Sequence, residues 1–457
     1  MLRNGSNARA VAREAPQLWR RVFAFLLGLS VSMGAIYAFK IGNTSVYVGY
    51  CLGLVICTCC ILFCSRRLIG LCQMIDVSIF VFVAVACLSV VPSLLCCIFN
   101  KLPDEALGDV FKGLIILVVG VFVYLSSIML VDCRRQMVLG VAIGVSANVI
   151  FTIVAQVSFN MGDVFSLANA FPQDAFIVSA KWGAAVPYGA YPIYSFRAQG
   201  LFLEASHLMV FLVAWGWVSI AALRSSLAVK VIFLVGILYL GFQSFSPNVL
   251  FLFLELFLIA ALLKNVSASI KDRRIHRSVV LVGLLIVFVV CLAVIIYREM
   301  VVNLLYSLLN SLGDINPFQS SDSGTLDRFS SMRQTLEAIP QFPFGTGWNT
   351  ESVVLSTLFG QGAVASHSFA LRLLLETGLI GLSAYAWIVV RHAKCALAGG
   401  KFGVVVFAAV VFTAVAQFLN GATMLPHIWL LLGLAKGLSI ESANEIPVDE
   451  NVIELEN

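Results

Sequence analysis

Long apolar segments recur along this chain, and short polar stretches separate most of them. A run of roughly 20 apolar residues has the length of a helix that crosses the hydrocarbon core of a bilayer. The pattern therefore predicts an all-α polytopic membrane protein with about twelve transmembrane helices. These predicted spans comprise residues 22–39, 45–64, 74–98, 111–131, 137–157, 203–223, 229–243, 248–263, 279–297, 367–390, 402–419 and 423–440.

Two connections are much longer than the others and fall on the same predicted side of the membrane. They comprise residues 158–202 and 298–366, and they contain aromatic residues among prolines and glycines. Structureless loops beyond about 15 residues are usually functional or disordered, and this composition is typical of segments that fold. We therefore expect both loops to form folded caps on a single transmembrane bundle, residues 1–440. Residues 441–457 form an acidic tail that we predict to be cytoplasmic.

The composition indicates a membrane protein, and the placement of positive charge indicates how the chain is oriented across the membrane. The chain has 457 residues, of which 60% are hydrophobic and 12% are charged, against roughly 25% charged in an average soluble domain. With the N terminus inside, 20 of the 29 Lys and Arg residues fall on the cytoplasmic side, in agreement with the positive-inside rule. We therefore predict that both termini are cytoplasmic and that both long loops are outside. The net charge of +5 says little about partners, and we predict no nucleic-acid partner.

The twelve cysteines do not indicate a metal site. They lie inside apolar runs or beside basic turns, and none lies in the two long loops. Thiols inside spans behave mostly as small hydrophobic groups. No histidine or carboxylate lies near them in the sequence to complete a metal site, so we predict no metal ligand.

Residues 366–381 bring polar groups to the head of a predicted span. Read as one helix, this stretch places His367 and Gly378 on the same apolar face, with the imidazole at the membrane surface. His367 could accept or relay a proton there, or it could be a helix-start residue bonded to loop backbone. Arg372 and Glu376 are four residues apart, and we expect them to neutralise one another.

The first long loop ends in a second group of candidate residues. Arg197 lies just before a predicted span, where its planar fork could bind phosphate or its charge could anchor the interface by snorkelling. Glu204 is predicted just inside that span. It could accept a proton or bind a sugar, or it could simply pair with His207, one helical turn further on.

The second long loop contains a predicted amphipathic helix over residues 323–337. Arg328 and Arg333 are five residues apart, about 140° around that helix, so we expect them on different faces. One would bind a ligand while the other pairs with Asp327 or Glu337.

Three other histidines are assigned no chemistry. We predict that His276 and His392 are solvated among cytoplasmic basic residues, and that His427 lies near an outer helix end. Only His367 adjoins a large outer loop.

Several of these residues resemble the signature of the bacterial O-antigen ligase and O-antigen polymerase superfamily. In that signature a histidine followed by Asn, Ser or Gln precedes a Gly-x-x-Gly pair by nine residues, as His367-Ser368 precedes Gly378-Leu379-Ile380-Gly381 here. Residues 327–347 are similar to the family's arginine helix and Pro-x-Gly-x-Gly turn. Arg197-Ala-Gln-Gly is similar to its earlier arginine-glycine element, and Ser244-Phe-Ser to its serine-rich turn. The resemblance covers residues 195–385, and the first 150 residues match only as generic spans.

The resemblance implies a C-type membrane glycosyltransferase that uses no metal and no other cofactor. It would act on glycans carried by undecaprenyl diphosphate at the outer, periplasmic face of the bacterial inner (cytoplasmic) membrane, and invert the anomeric centre. By family position, His367 would orient or deprotonate the attacking hydroxyl. Arg197 and one of Arg328 or Arg333 would clamp the diphosphate leaving group, and Glu204 is a further substrate-binding candidate. The implied partners are the lipid-linked glycan donor and acceptor, membrane lipid and, as an option, a chain-length regulator protein.

Two activities share this machinery and differ only in the acceptor. A polymerase transfers the chain to the next lipid-linked repeat unit, whereas a ligase transfers it to the lipid A core. Leu203-Glu-Ala-Ser-His resembles the Glu-Pro-Ser-His form of polysaccharide polymerases more than the Pro-Asn form of ligases, although Ala205 stands where proline is expected. We favour the polymerase and keep the ligase as the alternative. A lipid-linked glycan transporter is less favoured because no internal repeat is visible, and a non-enzymatic assembly scaffold is a third option.

Overall fold

A computed structural model describes six ranges of the chain, residues 17–63, 75–160, 198–268, 323–360, 368–418 and 424–444. Within them, residues 35, 42, 43, 203, 224, 245 and 247 are excepted. The predicted span 279–297 and most of the acidic tail lie outside these ranges. The described chain is mostly helical, with one two-stranded sheet.

The helices of the described residues follow one another in chain order. They are α1 (Gln17–Ser30), α2 (Val48–Phe63), α3 (Val77–Leu88), α4 (Val90–Ile98), α5 (Glu105–Met129), α6 (Arg134–Asn160), α7 (Ala205–Ala222), α8 (Leu227–Gln243), α9 (Val249–Ala268), α10 (Ser323–Ala338), α11 (Glu351–Phe359), α12 (Phe369–Leu397), α13 (Gly400–Phe418) and α14 (Pro426–Asn444). Short 3₁₀ turns at Val131–Cys133 and Ile339–Gln341 join α5 to α6 and follow α10.

Six helical segments in the described ranges are long and apolar enough to cross a membrane. Three shorter apolar helices accompany them, at Val48–Leu62, Leu227–Gln243 and Val249–Leu263. The protein is therefore an all-α membrane protein, and the count of twelve spans stays a prediction. The six long segments are Val77–Ile98, Glu105–Met129, Val131–Ser158, Ala205–Ala222, Phe369–Leu397 and Gly400–Phe418.

The first predicted span is shorter than its apolar sequence suggested. Helix α1 ends at Ser30, and two antiparallel strands follow it, β1 (Tyr37–Ile41) and β2 (Thr44–Tyr47). The prediction of a helix over residues 22–39 was therefore wrong beyond Ser30. Aromatic and β-branched residues on both sides of Gly42-Asn43 favour a hairpin here, because this composition suits strands and the central dipeptide suits a tight turn.

Helices in the bundle approach one another closely at small residues. Gly120 of α5 lies against the indole of Trp429 in α14, and Gly433 of α14 lies against the backbone carbonyl of Tyr124 in α5. Small residues at helix contacts are typical of membrane bundles, since they let neighbouring backbones approach. One continuous hydrophobic core extends from α1 to α14, and it fixes α12, on which the candidate site is built, against α3 and α13.

The second long loop contains helical structure, as its sequence predicted. Helix α10 covers the predicted amphipathic helix, and its residues Ser331, Thr335 and Ala338 are buried at a spacing of four and three residues. That spacing places them on one face of the helix. The buried face packs against α11 and α12, so this part of the loop is a folded element seated on the bundle.

Candidate functional site

Helix α12 is broken at Gly378, in the middle of the stretch that carries the histidine motif. Gly378 has φ 66° and ψ −167°, whereas the residues on either side belong to helix. The expectation of one continuous helical face from His367 to Gly378 was therefore wrong at its end. A break leaves carbonyl groups one turn earlier without their usual amide donors, so another segment must satisfy them.

A turn from the second loop supplies the missing donors. The backbone N–H of Thr346 donates to the carbonyl of Leu375 at 3.0 Å, and the N–H of Gly347 donates to the carbonyl of Glu376 at 2.9 Å. The Thr346 hydroxyl also donates to the Leu375 carbonyl at 3.1 Å. The loop backbone thus docks into the break, and the Gly-x-Gly turn and the Gly-x-x-Gly pair are in direct contact.

Gly345 makes this docking possible. Its φ is +88°, and a Cβ atom added there would lie 2.4 Å from the backbone oxygen of Glu376. Real side chains do not approach backbone so closely. Glycine is therefore required at this position both for its conformation and for the close contact.

We expect Gly345→Ala to undock the turn and to destabilise the protein more than a matched glycine substitution does. Gly360→Ala is the control, because Gly360 also has a positive φ, +93°, but has open space around its Cβ position. Both substitutions place an alanine in a backbone conformation with positive φ, which is unfavourable. Only Gly345→Ala also brings a Cβ atom into overlap with the Glu376 backbone. We therefore expect Gly345→Ala to lower the free energy of unfolding by about 1–3 kcal/mol more than Gly360→Ala does. Thermal unfolding in detergent measures the difference. Equal destabilisation by the two variants would contradict the docking.

A buried ion pair lies beside the docked turn. Arg372 Nε donates to Glu376 Oε1 at 2.9 Å, and the two side chains are 15% and 1% exposed. Arg372 Nη2 also donates to Asn349 Oδ1 at 2.8 Å, and the Glu351 N–H donates to Glu376 Oε1 at 3.2 Å. The prediction that Arg372 and Glu376 neutralise one another is confirmed. The same pair also connects α12 to the turn and to the start of α11.

The turn is tied to α5 as well. Asn349 Nδ2 donates to the Asp109 carbonyl at 3.1 Å, and Asp109 forms an ion pair with Lys112 at 2.8 Å. Asn349 has φ +68°, a left-handed conformation that asparagine tolerates better than most residues. Asn349 therefore bridges α5 and α12.

The charges near Arg372 do not favour phosphate binding at this point. The buried carboxylate of Glu351 interacts electrostatically with Arg372, as that of Glu376 does. Arg372 is thus already engaged by Glu376, Asn349 and the field of Glu351, so it is poorly placed to bind a diphosphate. The group is better suited to holding three chain segments together than to binding an anionic leaving group.

Only part of the predicted site lies in the described chain. His367 and Arg197 lie outside the described residues, and Arg328 is on α10 with its side chain outside them. Arg333 pairs with Glu337 at 2.7 Å on an exposed face. This is one of the two pairings expected, and which arginine of α10 binds a ligand stays a prediction.

Glu204 lies at a helix start and not inside a span. It is the exposed N-cap residue of α7 with extended backbone, and its Oε2 accepts a hydrogen bond from the Ser206 hydroxyl at 2.9 Å. The expectation of a carboxylate inside the span was therefore wrong, because α7 begins at Ala205. The Glu204 carboxylate acts electrostatically on His207, and the pairing of the two side chains stays a prediction.

The segment just after Arg197 is bonded to the end of α8, directly before the serine-rich turn. The Ala198 N–H donates to the Gln243 carbonyl at 2.8 Å, next to the end of α8 at Ser244. The Leu201 N–H donates to Asn148 Oδ1 at 2.6 Å. Asn148 was not among the predicted site residues, although an amide inside an apolar span is a detectable signal.

His392 and His427 are both buried. His392 was predicted to be solvated, and this was wrong. Because α12 continues to Leu397, the His392 ring faces the core, with Nδ1 2.8 Å from the Ile388 carbonyl and Nε2 3.2 Å from the Tyr124 hydroxyl. His427, at the start of α14, packs edge-on against Phe211 with ring centres 5.6 Å apart.

Comparison with known proteins adds no family assignment. The sequence matches no protein-family model, and no curated protein is similar enough to count as a relative. What places this chain in a class is its own structure, an all-α membrane protein in which a broken helix binds the turn of a folded loop.

Proposed function

We propose that the protein is a glycosyltransferase that polymerises glycan repeat units carried on undecaprenyl diphosphate, at the periplasmic face of the bacterial inner membrane. The main support is the docking of the turn that contains Gly345 and Gly347 into the break at Gly378. These segments were singled out separately by their resemblance to one family. A shared site requires the two segments to be in direct contact. Neither motif by itself indicates that contact.

In the proposed reaction, a hydroxyl of the acceptor sugar attacks the anomeric carbon of the donor glycan. The bond between that carbon and the lipid diphosphate breaks, and His367 takes the hydroxyl proton as general base. Attack opposite the leaving group inverts the anomeric centre. Arg197 and Arg328 offset the charge that develops on the diphosphate. We assign Arg328 rather than Arg333 because Arg333 is paired with Glu337.

The contacts of Arg372 support this division of roles. Glu376 is buried beneath the docked turn and Arg372 is fixed to it, so neither side chain is assigned to the diphosphate. Their role is to hold the turn, and with it the end of α10, in a fixed position relative to the start of α12, two residues after His367. Positioning of this kind matters because misplacement of catalytic groups by about 1 Å can cost about 10²-fold in rate.

We expect a strain that lacks this protein to display at most one repeat unit on its lipid acceptor, because chains cannot grow without a polymerase. The measurement is the size ladder of the glycan, together with extraction of the carrier lipid. Long chains that remain on the carrier would instead identify the alternative, a ligase that transfers glycan to the lipid A core. An unchanged ladder on the final acceptor would overturn both assignments. Restoration of the ladder by the wild-type gene is the control.

A further inference from the structure

A second charged group lies at the far end of α12, away from the docked turn. Arg391 Nε lies 3.3 and 3.2 Å from the two carboxylate oxygens of Asp76, and Lys436 Nζ of α14 lies 3.2 Å from Asp76 Oδ2. Asp76 also caps α3, since its Oδ1 accepts from the Ser78 N–H at 3.1 Å and from the Ser78 hydroxyl at 2.9 Å. One carboxylate thus faces two cations, so the group has excess positive charge.

Asp76 is a fixed anchor for these cations. Burial by itself would raise the pKa of the Asp76 carboxyl, but the hydrogen bonds from Ser78, Lys436 and Arg391 outweigh it and hold that pKa well below its usual range. The carboxylate is therefore charged at neutral pH. It orients Arg391 through the Nε edge of the guanidinium.

The Arg391 side chain is only partly covered by these contacts. The Arg391 side chain is 50% exposed although that of Asp76 is fully buried. Among the described residues, neither Nη atom of Arg391 has a hydrogen-bond partner. A guanidinium held on one edge and open on the other presents two parallel donors, the geometry that binds a phosphate with two hydrogen bonds.

An exposed apolar stripe on α12 leads to this guanidinium. Trp387, Val390 and Leu397 are exposed large hydrophobic residues, and Lys394 is exposed among them. Their spacing of three and four residues places them with Arg391 on one side of the helix. Val77 and Phe80 of α3, immediately after Asp76, are exposed as well. Because α3 packs against α12, these exposed residues lie on neighbouring helices, with apolar residues along the bundle and cations at its end.

We propose that this surface between α3 and α12 is a binding site for an anionic phospholipid, at the end of the bundle that the basic residues predict to be cytoplasmic. The headgroup phosphate binds the Nη atoms of Arg391 and the ammonium of Lys394. An acyl chain lies along Trp387 and Phe80. Tryptophan at the level of lipid headgroups and basic residues just beyond it are typical of membrane interfaces. The site is independent of the proposed glycosyl transfer.

Native mass spectrometry of the purified full-length protein tests the site. The protein is titrated with phosphatidylglycerol or with phosphatidylcholine of the same acyl chains. We expect the wild type to bind phosphatidylglycerol about tenfold or more tightly than phosphatidylcholine, and Arg391→Gln/Lys394→Gln to remove that preference. The charge-matched control is Arg135→Gln/Lys401→Gln, at exposed positions elsewhere at the same predicted end, and we expect it to keep the preference.

Three results would overturn the proposal. The first is an unchanged preference for phosphatidylglycerol in Arg391→Gln/Lys394→Gln. The second is an equal loss of that preference in Arg135→Gln/Lys401→Gln, which would indicate general attraction of the lipid to the basic surface. The third is displacement of the lipid by glycerol 3-phosphate at equal concentration, which would show that the apolar stripe contributes nothing. Because Arg391→Gln alters the Asp76 group, Lys394→Gln is measured alone. It leaves the Asp76 ion pairs in place and should still weaken the preference severalfold.

Discussion

Replacing His367 with alanine is expected to slow extension of lipid-linked glycan chains by about 10²–10⁴-fold, the usual contribution of a general base. The acceptor hydroxyl is a weak nucleophile until its proton is removed. We expect the loss to appear in the turnover rate while binding of the lipid-linked donor is retained, because the proposed donor contacts come from Arg197 and Arg328. The measurement is ladder formation by the purified protein from single-repeat substrate.

The start of α12 is capped by the residue after the histidine, so we expect the variant to fold. Ser368 is the N-cap residue, its hydroxyl accepts from the Leu371 N–H at 3.4 Å, and it donates to the Phe418 carbonyl at 2.8 Å. His276→Ala is the matched control, since that histidine is predicted on the opposite side of the membrane. Full activity of His367→Ala, at wild-type amounts in the membrane, would refute the assigned role.

Replacing Arg372 with methionine is expected to lower the free energy of unfolding by about 3–5 kcal/mol, the usual cost of leaving one partner of a buried ion pair uncompensated. The Glu376 side chain is 1% exposed, so water cannot take the place of the guanidinium. Asn349 loses a hydrogen bond in the same variant. The expected destabilisation is measured by thermal or denaturant unfolding in detergent.

The double variant Arg372→Met/Glu376→Gln separates the charge from the other contacts. A neutral amide at position 376 still accepts the Glu351 N–H and has no charge to compensate, so we expect the double variant to be more stable than Arg372→Met alone. The control is Arg333→Met, because Arg333 and Glu337 have the same spacing but are 63% and 48% exposed, and exposed pairs contribute about 0–1 kcal/mol. Additive effects of the two changes would refute a coupled structural pair.

These two predictions also distinguish a catalytic residue from a structural residue near the start of α12. Loss of activity with normal stability is expected for His367→Ala, whereas loss of stability is expected for Arg372→Met. If Arg372→Met reduced activity and left stability unchanged, Arg372 would belong to the reacting site. The assignment of the ion pair as a brace for the docked turn would then be wrong.

The sequence by itself determined the features that depend on local spacing. Apolar runs of membrane length gave the all-α membrane class, because a bilayer requires about 20 apolar residues for each helical crossing. The helix within the second loop and the pairing of Arg372 with Glu376 follow from neighbours three and four residues apart. The assigned reaction rests on the histidine motif and its arginines, and it stays a prediction.

Only the tertiary structure decided the features that join distant segments. It also replaced half of a predicted span with the hairpin after α1, although the turn signal at Gly42-Asn43 is a local one. His392 is buried because Tyr124, 268 residues away, faces it across the bundle. The break at Gly378 is stable because the turn at Gly345 supplies donors to the carbonyls that the break exposes. Local sequence patterns identify such glycines but not the segments that contact them. The hydrogen bonds that stabilise a broken helix form only when the loop has folded onto it.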